Sequence, residues 1–336
     1  MHVERKPLIP QGAAYFPLGG QGAGIRRFLF LLCPSFTLLA FSSAIEPLRI
    51  ANQLSQRPLY DWQTLSVDGA PVVSSCGVSV NVDGTHDPAA RDATLLVCAG
   101  NLPSAAEQGP VVALAQRHVR HGGQIGGLCT GALALARAGL LKGRRFTLHW
   151  ENQPAFREAY PDLPPSDNKF EIDGPLMTCG GGAAATDMML DVIVRDHGEA
   201  FAAMVSEMCL RRVAIGRDLA QRSPISAVAQ ARNPGLAAIV ELMKRHREDP
   251  LPLEELAARV GYSRRQVERL FRLTLGLSPG KFYQNLRLDY GRNLLASTDL
   301  SLSEVAVACG FETKSYFSKC FSRRYGVPPS RIHARA

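Results

Sequence analysis

Two stretches near the end of the chain repeat one another. LEELAARVGYSRRQVERLFRLTLGLSP begins at Leu253, and LSEVAVACGFETKSYFSKCFSRRYGVPP begins at Leu302. Ala257 corresponds to Ala306, Gly261 to Gly310, Phe271 to Phe321 and Gly276 to Gly326, with one extra residue in the second copy. A repeat with a period of roughly 50 residues is one supersecondary unit used twice. Each copy reads as a helix-turn-helix. A small Ala lets the second helix cross closely, a Gly takes the turn without a Cβ penalty, and a polar, basic helix follows. Between the copies, KFYQNLRLDYGRNLLAS reads as a stiff linking helix.

The charge distribution points the same way. The 336 residues are enough for two or three domains with their own cores, and the formal net charge is +8. From residue 233 onward there are 17 Lys and Arg against 10 Asp and Glu; the rest of the chain holds 21 against 20. A basic final third on a neutral body implies a nucleic-acid-binding module joined to something else. Residues 235–336 resemble the DNA-binding domain of AraC-type transcription regulators. ACGFETKSYFSKCFSRRYGVPPSRI in the second copy resembles that family's signature along its whole length. The resemblance implies two recognition helices, near 263–274 and 313–325, entering successive major grooves on one face of double-stranded DNA. The side chains expected at bases or phosphates are Arg264, Arg265, Gln266 and Arg269 in the first helix. In the second they are Thr313, Lys314, Ser315 and Lys319.

Ahead of this module the pattern changes. Residues 1–24 are Gly- and Pro-rich and read as a flexible arm. From 25 to 197 apolar strands alternate with helices, which predicts a mostly parallel, doubly wound (flavodoxin-like) α/β domain followed by an all-α one. The expected strands are RRFLFLLC, YDWQTLSVDG, ATLLVCAG and GGQIGGLC. A long helix is expected over 198–222 and a Ser/Pro/Asn-containing linker up to 234. IRRFLFLLCPSFTLLAFSSA imitates an export signal, but Pro34-Ser35 interrupts its apolar run, and no run reaches the roughly 18 residues of a membrane span. The eight cysteines include no C-x-x-C pair and no zinc spacing, so neither a disulfide framework nor a metal is expected, and the predicted compartment is the reducing cytoplasm.

Gly127-Leu128-Cys129-Thr130-Gly131 is the cysteine form of a nucleophile elbow, the strand-to-helix turn that lifts a nucleophile out of an α/β sheet. Residues 25–197 resemble the class I glutamine-amidotransferase-like superfamily through this elbow, AGLLKGRRFTLHW and the helix bearing Glu46. In the amidotransferases a late His and Glu complete a triad with the cysteine. Here the late stretch MTCGGGAAATDMMLDVIVRDHG has no His-x-Glu, so amidotransferase chemistry lacks its base. The resemblance leaves Cys129, Glu46 and His149 as a vestigial constellation and implies a sensor, not an enzyme, with no cofactor. A cysteine-dependent hydrolase, deglycase or thiol redox switch fused to a DNA-binding tail is the alternative.

Taken together, the halves resemble AraC-type regulators with an amidotransferase-like sensor. SAIEPLRIANQLS, YDWQTLSVDG and SRRQVERLF look closest to regulators of quaternary-amine catabolism, with a related branch that responds to arginine. The resemblance implies an activator that works as a homodimer with RNA polymerase. Its expected effector is glycine betaine, dimethylglycine, carnitine or arginine. A trimethylammonium group is held by aromatic faces and carboxylates. Phe36, Trp150, Glu46 and Glu151 are candidates for that role. Ser35, Asn101, Thr130 and the backbone at Cys129 are candidates for a carboxylate end, beside a helix N-terminus.

Overall fold

The computed structural model describes residues 7–12, 14–18, 24–86, 92–210 and 234–333. The chain divides into two compact units. One runs to Gln153 and resumes over Tyr160–Gln221; the other takes Pro154–Ala159 and everything from Arg222.

The first unit is built on a six-stranded sheet in the order β2-β1-β5-β6-β8-β7. Its strands are β1 (Arg26–Leu32), β2 (Tyr60–Leu65), β5 (Ala93–Cys98), β6 (Gln124–Leu128), β7 (Phe170–Asp173) and β8 (Leu176–Cys179). A separate hairpin pairs β3 (Val72–Val73) with β4 (Ser79–Val80). All neighbours in the large sheet are parallel except β7, an antiparallel edge strand on β8. Strand β5 is buried at every residue, as a central strand covered on both faces must be. The core on one face gathers Phe28, Phe30, Leu96, Leu128 and Cys179 against α1 (Leu38–Ser55), α6 (Ala184–His197) and α7 (Glu199–Met208). The other helices of this unit are α2 (Pro103–Ala106), α3 (Gly109–Arg120) and α4 (Ala132–Arg137).

Two expectations need correction. The described part of the N-terminal arm is pinned rather than loose. Asn52 donates to the Leu8 carbonyl at 3.0 Å, the Phe16 N–H donates to Leu54 O at 2.8 Å, and the Phe16 ring stands 5.5 Å from Phe201. The helix expected over 198–222 ends at Met208, and Leu210 takes the left-handed conformation (φ 54°), which breaks the helical ladder. The remainder of that helix and the linker, 211–233, lie outside the described residues. Helix α5 (Gln153–Ala159) falls almost wholly in the second unit.

The second unit holds α8 (Pro234–Arg245), α9 (Leu253–Arg259), α10 (Arg264–Leu275), α11 (Pro279–Ser297), α12 (Leu302–Ala308), α13 (Lys314–Tyr325) and α14 (Ser330–His333). The repeat is visible in the hydrogen bonds. Tyr262 N–H donates to Ala257 O at 2.9 Å, and Phe311 N–H donates to Ala306 O at the same distance. The extra residue of the second copy, Glu312, falls after this turn and delays α13 by one position. Each copy has its own core: Leu256, Ala257, Val267 and Phe271 in the first, Val305, Ala306, Phe317 and Phe321 in the second. Helix α11 serves both. Its first half sends Phe282 and Tyr283 into one core, and its second half sends Leu288, Leu294 and Leu295 into the other.

Candidate functional site

The carboxyl ends of β1, β5 and β6 meet side by side, as ligand sites of doubly wound sheets require. Cys33 N–H donates to Cys98 O at 2.9 Å, Ala99 N–H to Leu128 O at 3.4 Å, and Asn101 N–H to Ser35 O at 3.3 Å. At the end of β6, Cys129 stands in the left-handed region at φ 59°, the strained conformation of a nucleophile elbow. The surrounding glycines make that turn possible. A Cβ on Gly131 would lie 2.1 Å from Val97 O, and one on Gly181 would lie 2.8 Å from the Cys129 Cβ.

The thiol at the elbow is not an activated nucleophile. Cys129 is 6% exposed, and burial raises its thiol above the ordinary range. A hydrogen bond from the Thr37 hydroxyl (Oγ1 to Sγ 3.6 Å) and the Thr130 N–H oppose that shift but do not overcome it. Thr37 was absent from the sequence-based candidates. Its signal was available: a hydroxyl one residue before the first helix of the fold, at a strand end.

The other candidates sort by geometry. Glu46 is half exposed on α1, where its Oε2 accepts from Arg49 Nε at 2.8 Å. Phe36 is fully buried, edge-on to Phe41 at 5.6 Å, and so is a core aromatic rather than a face offered to a ligand. Thr130 is buried, and its hydroxyl donates to Gly100 O at 2.9 Å, tying β6 to β5. His149 is in an irregular segment rather than at a strand end. Its N–H donates to Cys129 O at 3.1 Å, and burial lowers its imidazole, leaving it neutral. Trp150 (half-buried) and Glu151 (exposed) follow directly; the Trp150 ring is 5.4 Å from that of His149, and Glu151 is 3.9 Å from His149 Nδ1. Ser35 is half-buried with φ 59°, and Asn101 is exposed. Among the described residues no group of His, Cys, Asp and Glu could hold a metal ion.

In the second unit the two expected recognition helices have equal lengths and similar starts. Ser263 caps α10 by accepting from Gln266 N–H, and Thr313 caps α13 by accepting from Tyr316 N–H at 3.2 Å. Gln266 is spent on this cap: its Oε1 accepts from Ser263 N–H at 2.7 Å, so it is not poised for an adenine. Arg264 is likewise engaged, with Glu254 at 2.5 Å and Glu268 at 3.0 Å. Arg265 and Arg269 are exposed, and Arg272, which sequence reasoning missed, continues their line at i, i+4, i+7. On α13, Lys314, Ser315 and Lys319 are exposed, and Arg323 extends that face four residues beyond Lys319. Arg324 points elsewhere: it forms a two-pronged pair with Asp289 of α11 at 2.7 and 2.8 Å, which fixes the second copy on the linking helix.

Residues 27–195 match the DJ-1/PfpI family, and residues 256–335 match a helix-turn-helix domain family. The HTH-type transcriptional regulator CdhR of Pseudomonas aeruginosa is 45% identical over 91% of both chains. The HTH-type transcriptional regulator GbdR of Pseudomonas aeruginosa is 43% identical over 89% of this chain and 82% of its own. A crystal structure of an AraC family transcriptional regulator from Pseudomonas putida superposes with a TM-score of 0.51 at 27% identity, covering 55% of this chain and 99% of that one. Like these relatives, the chain belongs to the HTH-type transcriptional regulators that join a DJ-1/PfpI domain to an AraC-type helix-turn-helix domain.

Proposed function

We propose that the chain is an activator of a catabolic operon whose effector is a small amine: glycine betaine, dimethylglycine, carnitine or arginine. The effector would bind at the carboxyl ends of β1, β5 and β6. The observation that carries this reading is the Trp150–Glu151 pair, held beside the elbow by the His149 N–H to Cys129 O hydrogen bond. An aromatic face and an adjacent carboxylate suit a trimethylammonium head, which cannot donate strong hydrogen bonds, and also a guanidinium or protonated amine. Ser35, Asn101 and the backbone at Cys129 stand at the strand ends where a carboxylate tail would rest. Cys129 shapes the site and does no covalent chemistry, since a buried, protonated thiol with a neutral imidazole nearby disfavours the hydrolase or redox reading.

Effector binding shifts the arrangement of the DNA-binding units, with two chains acting as a homodimer and RNA polymerase as the final partner. The recognition helices α10 and α13 enter successive major grooves of one duplex. Such a protein works in the cytoplasm, beside the chromosome; among the described residues no helix is long and apolar enough to cross a membrane.

Isothermal titration of the full chain with the four amines tests the effector. One of them binds tighter than millimolar, and Trp150→Ala weakens it at least tenfold. If none binds below millimolar, the amine reading fails. Cys129→Ala tests the rival: ligand-dependent reporter expression persists if the thiol is structural, and collapses with binding intact if it is chemical.

A further inference from the structure

The first recognition helix starts with two adjacent arginines that meet different fates. Arg265 is exposed, and no ion pair engages it among the described residues. Arg264 is caught from two sides. Its Nη1 lies 2.5 Å from Glu254 Oε1 on the preceding helix α9, and its Nε lies 3.0 Å from Glu268 Oε1, one turn further along α10. All three side chains reach into solvent, at 61, 61 and 42% exposure, so the cluster sits on the surface rather than in the core. Arg264 raises no packing question, and its removal leaves no cavity.

The internal repeat supplies an independent comparison. In the second copy the position of Arg264 holds Lys314, so a cation is kept. The positions of Glu254 and Glu268 hold Ser303 and Ser318, both neutral. Two carboxylates thus accompany the leading cation of the first recognition helix, and none accompanies that of the second at these positions. A simple need for a stable helix start does not explain the difference. Ser263 and Gln266 already form a full capping box on α10, while α13 manages with Thr313 alone.

We propose that Glu254 and Glu268 clamp Arg264 away from the DNA backbone and so hold down the sequence-independent affinity of the chain for DNA. The inference rests on the reading of α10 as a DNA-contacting helix. Its physics is counterion release. Each phosphate neutralised by a protein cation steepens the fall of log K with log salt by about 0.9, whatever the sequence. Arg265, Arg269 and Arg272 form one line that remains available. A fourth arginine beside them would add affinity for every duplex alike and make binding to all DNA stronger and more salt-dependent. Holding it on two carboxylates withholds that sequence-blind term, and Glu268 adds a negative charge on the helix itself. Exposed ion pairs are weak singly. A guanidinium bridged by two carboxylates must lose both partners to reach a phosphate. Arg264 is therefore a withheld phosphate contact, and not a base reader.

The test is the salt dependence of binding by the full chain to a labelled random duplex and to a duplex selected from a random library. The variants are wild type, Glu254→Gln/Glu268→Gln, and the same pair with Arg264→Ala. With the clamp removed, the slope on random DNA steepens by about 0.9 and affinity at 0.1 M salt rises about eightfold. Affinity for the selected duplex rises by the same factor, because a phosphate contact reads no sequence, so the ratio between the two duplexes stays as it was. Adding Arg264→Ala reverses the change. The inference is overturned if the carboxamide pair keeps the wild-type slope, or if its gain survives Arg264→Ala. It is also overturned if Arg264→Ala alone weakens random-DNA binding as much as Arg265→Ala does. A wild-type chain with no salt-dependent DNA binding overturns the DNA reading itself, a result distinct from a binding chain that ignores the clamp.

Discussion

The two helix-turn-helix copies share a scaffold and differ in what they offer outward. Their turns carry the same backbone hydrogen bonds, and their second helices bury Phe271 and Phe321 at equivalent places. On the surface, α10 presents Arg265, Arg269 and Arg272 and keeps Arg264 and Gln266 in internal contacts. Helix α13 presents Lys314, Lys319 and Arg323 and keeps Arg324 on Asp289. The lesson is that an apolar skeleton fixes where a recognition helix lies, while the partners of each polar group decide which cations are left for DNA. Base reading on this view belongs to side chains that the domain does not use for itself.

If the skeletons are equivalent, Phe271→Ala and Phe321→Ala each destabilise the helical unit by about 3–5 kcal/mol, because each ring is fully buried. Urea unfolding checks this, and a gap of several kcal/mol between the two would break the equivalence. The turn glycines sharpen the contrast. Gly261 and Gly310 both take positive φ, at 72° and 65°, but a Cβ on Gly261 meets open space. One on Gly310 would lie 2.6 Å from Glu248 O and 2.7 Å from Arg247 O. Gly261→Ala therefore costs about 1–2 kcal/mol for the left-handed backbone. Gly310→Ala costs about 3 kcal/mol or more, since an overpacking cost is added.

At the DNA face, Arg265→Ala costs about 1–3 kcal/mol on the selected duplex and little on random DNA. Equal losses on both, measured by competition binding, would reduce Arg265 to a phosphate contact. The smallest effect concerns the caps. Ser263→Ala and Thr313→Ala each cost about 1 kcal/mol, with Ser263 the larger because its hydroxyl both accepts from Gln266 N–H and donates to Gln266 Oε1 at 2.9 Å. Thermal unfolding of the two variants orders them.

The repeat, the parallel sheet and the elbow were legible in the sequence because each is a local pattern. Small residues and glycines at fixed spacing specify a turn, and continuous apolar runs specify buried strands. The edge pair β7–β8 was missed: FEID and LMTC are too short to show a period, although the intervening Gly174-Pro175 is a turn signal. At the elbow the errors came from side-chain direction. Ser35 turns the chain with a positive φ, which drives Phe36 into the core and brings the Thr37 hydroxyl to the thiol. Nothing in Ser-Phe-Thr as letters says which of the three faces Cys129. Glu46 meets a partner that its motif does not announce, Arg49, three residues on along α1. On α10 the obstacle was long range: Glu254 lies ten residues before Arg264 on another helix.

The central claim is that both recognition helices grip one duplex. A double-mutant cycle on the selected duplex, with Arg265→Ala, Lys319→Ala and the double variant of the full chain, addresses it most directly. The account predicts that each single change weakens specific binding, that the double change weakens it by about the sum, and that random-DNA binding falls far less. Loss from one helix with no effect at the other would contradict it.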